Sequence, residues 1–148
     1  MSEKTYTIDT QKNPRHIPVL VEEITDLCLD SKVHLDCNLG DAGHVDALLV
    51  KNPTVHIHAI DADEVAINRA QYFLQQNKAI KDSFSKRVTI HKGNFSEIEK
   101  LLGTEAEGTF DSVLFDLGLS TYQLGESERG FSFKFDEPLD MRFSTDPI

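Results

Sequence analysis

Tryptophan is absent from this 148-residue chain, cysteine occurs twice, and no apolar run approaches the roughly 18 residues that a membrane span needs. Cys28 and Cys37 lack CxxC or Cys/His ligand spacing. That excludes a disulfide framework and a zinc site, and two buried thiols in a reducing cytoplasm are expected. The opening "MSEKTYTIDTQKNP" has neither the apolar core of a secretory signal nor an Arg-rich amphipathic transit pattern. A soluble cytoplasmic protein with no membrane contact is the expectation. Positive charge is also scarce: 15 Lys and Arg stand against 25 Asp and Glu, a formal charge of −10. Residues 1–95 hold 11 bases and 13 acids, net −2, whereas residues 96–148 hold 4 and 12, net −8. Gripping nucleic acid through its phosphates needs a basic patch, so the second half alone is a poor RNA surface.

What is present, 39% apolar and 8% aromatic residues, fits one folded domain with a sizeable core. Residues 1–15 are polar and aperiodic and read as a flexible tail. Pro18 stands near the first turn of an amphipathic helix with Leu20, Val21, Ile24, Leu27 and Cys28 on its apolar face. Four short β-branched runs follow: "VHLDC" (33–37), "VHIHAID" (55–61), "RVTIH" (87–91) and "FDSVLFD" (110–116). Helical patterns lie between them over about 43–51, 63–78 and 95–102. Strands alternating with helices predict an α/β fold, doubly wound and Rossmann-like, on a parallel sheet of about four strands. From about residue 117 the chain becomes rich in Gly, Ser and charge without a sustained period, a loop-like stretch of the kind that is functional in a compact domain. The expected division is a tail (1–15), an α/β core (16–120) and a loop segment (121–148).

In doubly wound sheets the ligand sits outside the carboxyl ends of the strands at the switch point, so strand ends come first. Strand one ends in Asp36, followed by a turn containing Gly40 and Gly43 but no third glycine at dinucleotide-site spacing. Asp41 within that turn would repel a pyrophosphate, whereas a ligand without phosphate escapes the penalty. An ordinary β-to-α turn is the plain alternative. Strand two ends in "AIDAD"; Asp61, 21 residues beyond Gly40, stands where a ribose diol is held, and Asp63 reads as the N-cap of the next helix. After strand three, Asn94 and Phe95 would grip an adenine by edge and face, unless Phe95 is core and Ser96 a cap. Strand four ends in Asp116, placed to orient a substrate amine or an ammonium. His44 opens the helix after the glycine turn and faces the ligand region. His16, His34, His56, His58 and His91 have no metal-ligand spacing, so no metal is expected.

The segments "HIPVLVEEI" (16–24), "DCNLGDAGH" (36–44), "IDAD" (60–63), "GNFSEI" (93–98), "DLGLSTYQL" (116–124) and "ERGFSFKFDEPLDMR" (128–142) together resemble the MraW/RsmH family. These are bacterial S-adenosylmethionine-dependent methyltransferases that act on N4 of a cytosine in small-subunit ribosomal RNA. The last segment is the most specific, because no general nucleotide-fold constraint requires it. The resemblance implies cofactor contacts at Ala42, Gly43, His44, Asp61, Phe95, Asp116 and Gln123, to which the strand-and-turn reading adds Asp36 and Gly40. It also implies that the 128–142 segment lies by the cytosine and the methyl group, with Arg129, Asp140 and Arg142 beside Asp116 as orienting groups. The implied substrate is small-subunit ribosomal RNA or the ribosomal subunit itself.

Three departures stand in the glycine turn: Asn38 where the family usually has Thr, Ala42 where it has Gly, and Val45 where it has Ser or Thr. Family members are also much longer, so the expectation is the first half of the fold only. Strand four would then be a sheet edge, and association with a second copy or a partner, or else marginal stability, is expected. Two rival functions are a catalytically silent S-adenosylmethionine-binding or assembly module and a nicotinamide dehydrogenase. Asp41 and the missing third glycine speak against the dehydrogenase.

Overall fold

The computed structural model describes residues 15–103, 108–126 and 128–144. The tail expected over 1–15 therefore lies outside the described residues, apart from Arg15. In chain order the elements are α1 (Val21–Leu27), β1 (Val33–Asp36), α2 (Gly43–Lys51), β2 (His56–Asp61), α3 (Glu64–Gln76), α4 (Phe84–Arg87), β3 (Val88–Lys92), a 3-10 turn (Phe95–Glu97), α5 (Ile98–Leu102), β4 (Ser112–Leu114) and α6 (Thr121–Glu126). The four strands form one parallel sheet in the order β3-β2-β1-β4.

Both faces of the middle of the sheet are covered, as a parallel sheet requires. Ile57 and Ala59 of β2 point to one face, where Val45, Leu48 and Leu49 of α2 and Ile67, Ala70 and Leu74 of α3 close the larger core. Leu35, Cys37 and Ile60 point to the other, against Phe95, Phe110 and the α5 residues Ile98, Leu101 and Leu102. Leu35, Leu49, Ile57, Ile60 and Leu74 are among the largest fully buried side chains; truncation of any one to Ala costs about 2–5 kcal/mol. Cys28 and Cys37 are buried free thiols, and burial pushes the Cys37 thiol up to about 11, which disfavours the reactive thiolate.

Local signals account for most element ends. Asp63 caps α3 by accepting the Val65 N–H at 3.0 Å. β4 is shorter than the 110–116 run. Asp111 still donates its N–H to the Val33 carbonyl of β1 at 2.9 Å, while its carboxylate accepts the N–H groups of Lys32 (2.7 Å) and Val33 (2.8 Å), and Phe110 stands edge-on to His58. α6 interrupts the segment that reads as loop. Its signal is a capping box: the Gln123 N–H donates to Ser120 Oγ (3.1 Å) and the Ser120 N–H donates to Gln123 Oε1 (3.0 Å). Arg15 is also anchored, donating to the carbonyls of Asp41 (3.1 Å) and Ala42 (2.7 Å) and pairing with Asp46. Among the described residues no helix is long and apolar enough to cross a membrane.

Residues 128–143 fold back on themselves around Gly130, whose φ is +74° and whose added Cβ would lie 2.4 Å from the Pro138 carbonyl oxygen. Gly130→Ala therefore meets both left-handed backbone strain and a backbone collision. The variant is expected to melt several degrees lower, at roughly 2–8 °C per kcal/mol. Trypsin cleavage at the exposed Lys134 should rise as well. An unchanged melt and digestion pattern would contradict this packing.

Candidate active site

The chain runs outward from β1 to β2 and β3, then crosses to the other side of β1 to form β4. The loops after β1 and β4 consequently diverge, and the crevice outside their carboxyl ends is the switch point. A cavity of about 290 Å³ opens there, near the lower end of small-molecule sites. Its walls come from Asn38 to Asp41, Gly43 and His44 after β1, Asp61 after β2, Asp116 to Ser120 after β4, and Gln123 and Phe143 beyond; His16, Pro18 and Val19 close the near side.

The turn after β1 owes its shape to two unusual backbone positions. Gly40 has φ +52° and donates its N–H to Asp61 Oδ2 at 2.9 Å, tying the first strand end to the second. Ala42, at φ +59°, is the N-cap of α2 and is 0% exposed. Its side chain is buried, and its positive-φ backbone shapes the turn that borders the cleft. At Gly43 an added Cβ would sit 2.7 Å from Pro18 Cγ, so the bare backbone lets the 15–20 segment close over the cleft.

Asp41 departs from the expectation drawn for it. Its carboxylate takes a bidentate pair of bonds from Arg69, at 2.7 and 2.8 Å, with the two side chains only 5% and 7% exposed. The Arg69 guanidinium also lies over the rings of Phe73 and Tyr122. The Asp41 charge is neutralised, and phosphate repulsion cannot be assigned to it. Two other carboxylates, Asp61 and Asp116, line the cleft, and Asp36 is close enough to feel the charge of both.

Asp36 ends β1 outside the cleft lining, 1% exposed, with the Asn38 N–H as partner at 2.9 Å. Burial raises its carboxyl to about 6, against the lowering effect of that N–H, and the charges of Asp61 and Asp116 push the same way as burial. Burial likewise raises Asp61, whose oxygens accept the N–H groups of Gly40 and of Asp63 (2.8 Å). Asp116 is 41% exposed at the rim, its Oδ2 3.8 Å from His44 Nδ1, an ion-pair distance when the imidazole is protonated. The other ring nitrogen of His44 donates to the Val19 carbonyl at 2.9 Å. Beside this acidic group, Asn38 Oδ1 is a buried acceptor without a hydrogen-bond partner. Sequence reasoning passed over Asn38 as a departure from a family pattern, and only its burial singles it out.

The other expected site residues are spread more widely. Gly40, Gly43, His44, Asp61, Asp116 and Gln123 converge on the cleft. Phe95 stands away from its lining, packed on the second core and edge-on to Phe115 with ring centroids 5.5 Å apart. Asp140 and Arg142 pair with each other at the surface, 32% and 42% exposed, and also lie outside the cleft lining. Arg129 also lies outside the cleft lining, 7% exposed and bonded to Asp63 and to two backbone carbonyls. Among the described residues no three His, Cys, Asp or Glu side chains converge as a metal site.

Comparison with known proteins places the chain in a family. The profile of the MraW methylase family matches residues 13–147. Ribosomal RNA small subunit methyltransferase H of Thermotoga neapolitana is 40% identical over 129 residues, covering 86% of this chain and 41% of that protein. The enzyme of the same name from Streptococcus mutans is 41% identical over 135 residues, 88% and 41% of the two chains. The human 12S rRNA N(4)-cytidine methyltransferase METTL15 is 39% identical over 133 residues, 86% of this chain and 30% of that one. The chain thus spans about two fifths or less of the length of these relatives. Among solved structures, a candidate O-methyltransferase from Klebsiella pneumoniae superposes with a TM-score of 0.54 at 16% identity, over 77% of this chain and 46% of that one. An O-methyltransferase family protein from Burkholderia thailandensis gives 0.50 at 15%, over 64% and 26%. These two likenesses speak for the fold, and the profile match over almost the whole chain settles the lineage: the chain belongs to the MraW methylase family.

Proposed function

We propose that the cleft binds S-adenosylmethionine and that the chain is the cofactor-binding part of a methyltransferase acting on the exocyclic N4 of a cytosine in small-subunit ribosomal RNA. The observation that carries this reading is an acidic rim with an orphaned acceptor at the switch point. A buried oxygen without a donor costs about 1–3 kcal/mol. A ligand ammonium at Asn38 Oδ1 removes that cost, and the surrounding carboxylates favour a cation and disfavour phosphate. In this reading Asp61 holds the ribose hydroxyls, Asn38 and Asp116 the cationic end, and Gly40 and Gly43 let the backbone approach closely. Bound there, S-adenosylmethionine supplies an electrophilic methyl group.

Asp116, at the exposed rim, accepts a hydrogen bond from the target amine and holds it in line; proximity and orientation do most of the work. A cytosine amine is a weak nucleophile within a stack, so the base must be turned out into the cleft. The family relatives named above carry rRNA methyltransferase names, which supports the substrate class. The net −8 of residues 96–148 favours a second reading, a module that binds the cofactor and leaves RNA to a partner. Calorimetry with S-adenosylmethionine, followed by a tritiated-methyl assay on small ribosomal subunits, separates the two. Transfer supports the enzyme, saturable binding without transfer selects the module, and no binding removes both.

Asp36 gives the cleft a pH signature. For a carboxyl raised to about 6, the contribution to stability is fully present below the ordinary value of 3.8 and lost as pH rises through about 6. A cationic ligand reverses the preference by stabilising the carboxylate. Binding should therefore release a proton between about pH 5 and 7, and affinity should fall as pH drops through that window. Calorimetry in two buffers of different ionisation enthalpy reads the proton directly, and Asp36→Asn should diminish it. Equal heats in the two buffers would count against a charged Asp36 beneath the ligand.

Among the described residues β4 pairs only with β1, and Val113 on it and Phe115 just beyond it are about half exposed, 50% and 51%. We read this edge as the contact for a second copy. Light scattering that stays monomeric at high concentration would contradict it.

A further inference from the structure

A helix cap needs one carboxylate oxygen, and Asp63 uses the second for something else. It is 1% exposed. Oδ1 accepts the Val65 N–H, while Oδ2 accepts from Arg129 Nη2 at 2.7 Å and from Gln123 Nε2 at 3.3 Å. Arg129 lies 66 residues along the chain and then spends Nη1 on the carbonyls of Arg142 (3.1 Å) and Phe143 (2.7 Å), while its own carbonyl accepts the Met141 N–H (2.7 Å). One guanidinium thus gathers both ends of the 128–143 fold-back onto the start of α3. Capping alone would be served as well by Asn or Ser; a buried carboxylate at 63 is needed only because Arg129 arrives there.

The same residue is wired to the cleft. The Asp63 N–H donates to Asp61 Oδ1, and the other oxygen of Asp61 holds Gly40 in the turn after β1. On the far side, Gln123 and Phe143 are both cleft walls. A ligand in the cleft therefore touches Asp61 on one side and the residues gathered by Arg129 on the other.

We infer that Asp63 and Arg129 are positioning residues, a clamp that couples occupancy of the cleft to docking of residues 128–143. The inference rests on the cofactor reading above. By linkage, a ligand that favours the docked segment binds more tightly because the clamp is closed, and losing the clamp lowers affinity by a comparable factor. A purely structural pair would lower the melting temperature without linking the two regions.

Hydrogen exchange of the whole chain, with and without S-adenosylmethionine, tests this. In the native protein the ligand is expected to slow exchange of both β2 and the 128–143 amides. In Arg129→Gln and Asp63→Asn, β2 should remain ligand-protected, the 128–143 amides should exchange fast with or without ligand, and affinity should fall about tenfold, within the usual range of coupling. Asp63→Asn keeps the helix cap, and the double variant removes the uncompensated buried charge, so at least one form should fold. Arg129→Lys, which keeps the charge and loses the fork, should fall between Arg129→Gln and the native chain. Ligand protection of 128–143 that persists undiminished in the folded variants overturns the clamp alone. A native chain that takes up no ligand overturns the clamp together with the cofactor reading.

Discussion

Arg69→Met is expected to cost about 3–5 kcal/mol of folding stability, the largest single loss anticipated outside the apolar core. The reason is the charge it strands. Asp41, 7% exposed, would keep its carboxylate in the protein interior with, among the described residues, only the weak His16 N–H contact at 3.3 Å as compensation. The guanidinium also lies 5.4 and 5.3 Å from the ring centroids of Phe73 and Tyr122, so α3, α6 and the glycine turn lose a common fastening. Such a loss is a large fraction of the 5–15 kcal/mol typical of a domain. Asp41→Asn combined with Arg69→Met should be clearly more stable than Arg69→Met alone, because the uncompensated charge is gone. Urea unfolding of the native, single and double variants at pH 7 measures the cycle. A single variant within about 1 kcal/mol of native would show that the pair is not buried as described.

Asp61→Ala should weaken binding of S-adenosylmethionine by at least about 100-fold. Two terms contribute. The carboxylate is the expected acceptor for ribose hydroxyls, and hydrogen bonds to charged groups contribute about 1.5–3 kcal/mol each. The same oxygens hold the Gly40 and Asp63 N–H groups at 2.9 and 2.8 Å, so the glycine turn loses its tie to β2 as well. Asp61→Asn keeps one acceptor oxygen and should lose less, about 10-fold. Equilibrium binding with each purified variant, alongside its melting curve, separates loss of affinity from loss of fold. A folded Asp61→Ala chain with native affinity would remove Asp61 from the site.

Features set by neighbours in the chain could be read before the structure was known. The α2 helix over 43–51, the Asp63 cap and the strand cores all follow from local periodicity and turn chemistry, and the structure places them there. Asp61 and Asp116 were approachable because a doubly wound sheet puts strand ends at its crevice whatever the loops do. Features set by distant partners were not. Asp41 reads as a free charge until Arg69, 28 residues later, is found against it. Arg129 reads as a substrate group until Asp63 is seen to hold it. Asn38 becomes informative only because burial leaves its oxygen without a donor. The α6 capping box was within reach of local reasoning, since Ser120 and Gln123 stand at the required spacing, but the surrounding Gly and charge obscured it.

The central claim is that this cleft holds a cationic, phosphate-free nucleoside ligand. Calorimetric titration of the chain with S-adenosylmethionine, with NAD in a parallel cell, tests it most directly. The expected result is one saturable site for S-adenosylmethionine, no heat with NAD, and loss of the site in Asp61→Ala. Saturable NAD binding, or S-adenosylmethionine binding untouched by that substitution, would contradict the account.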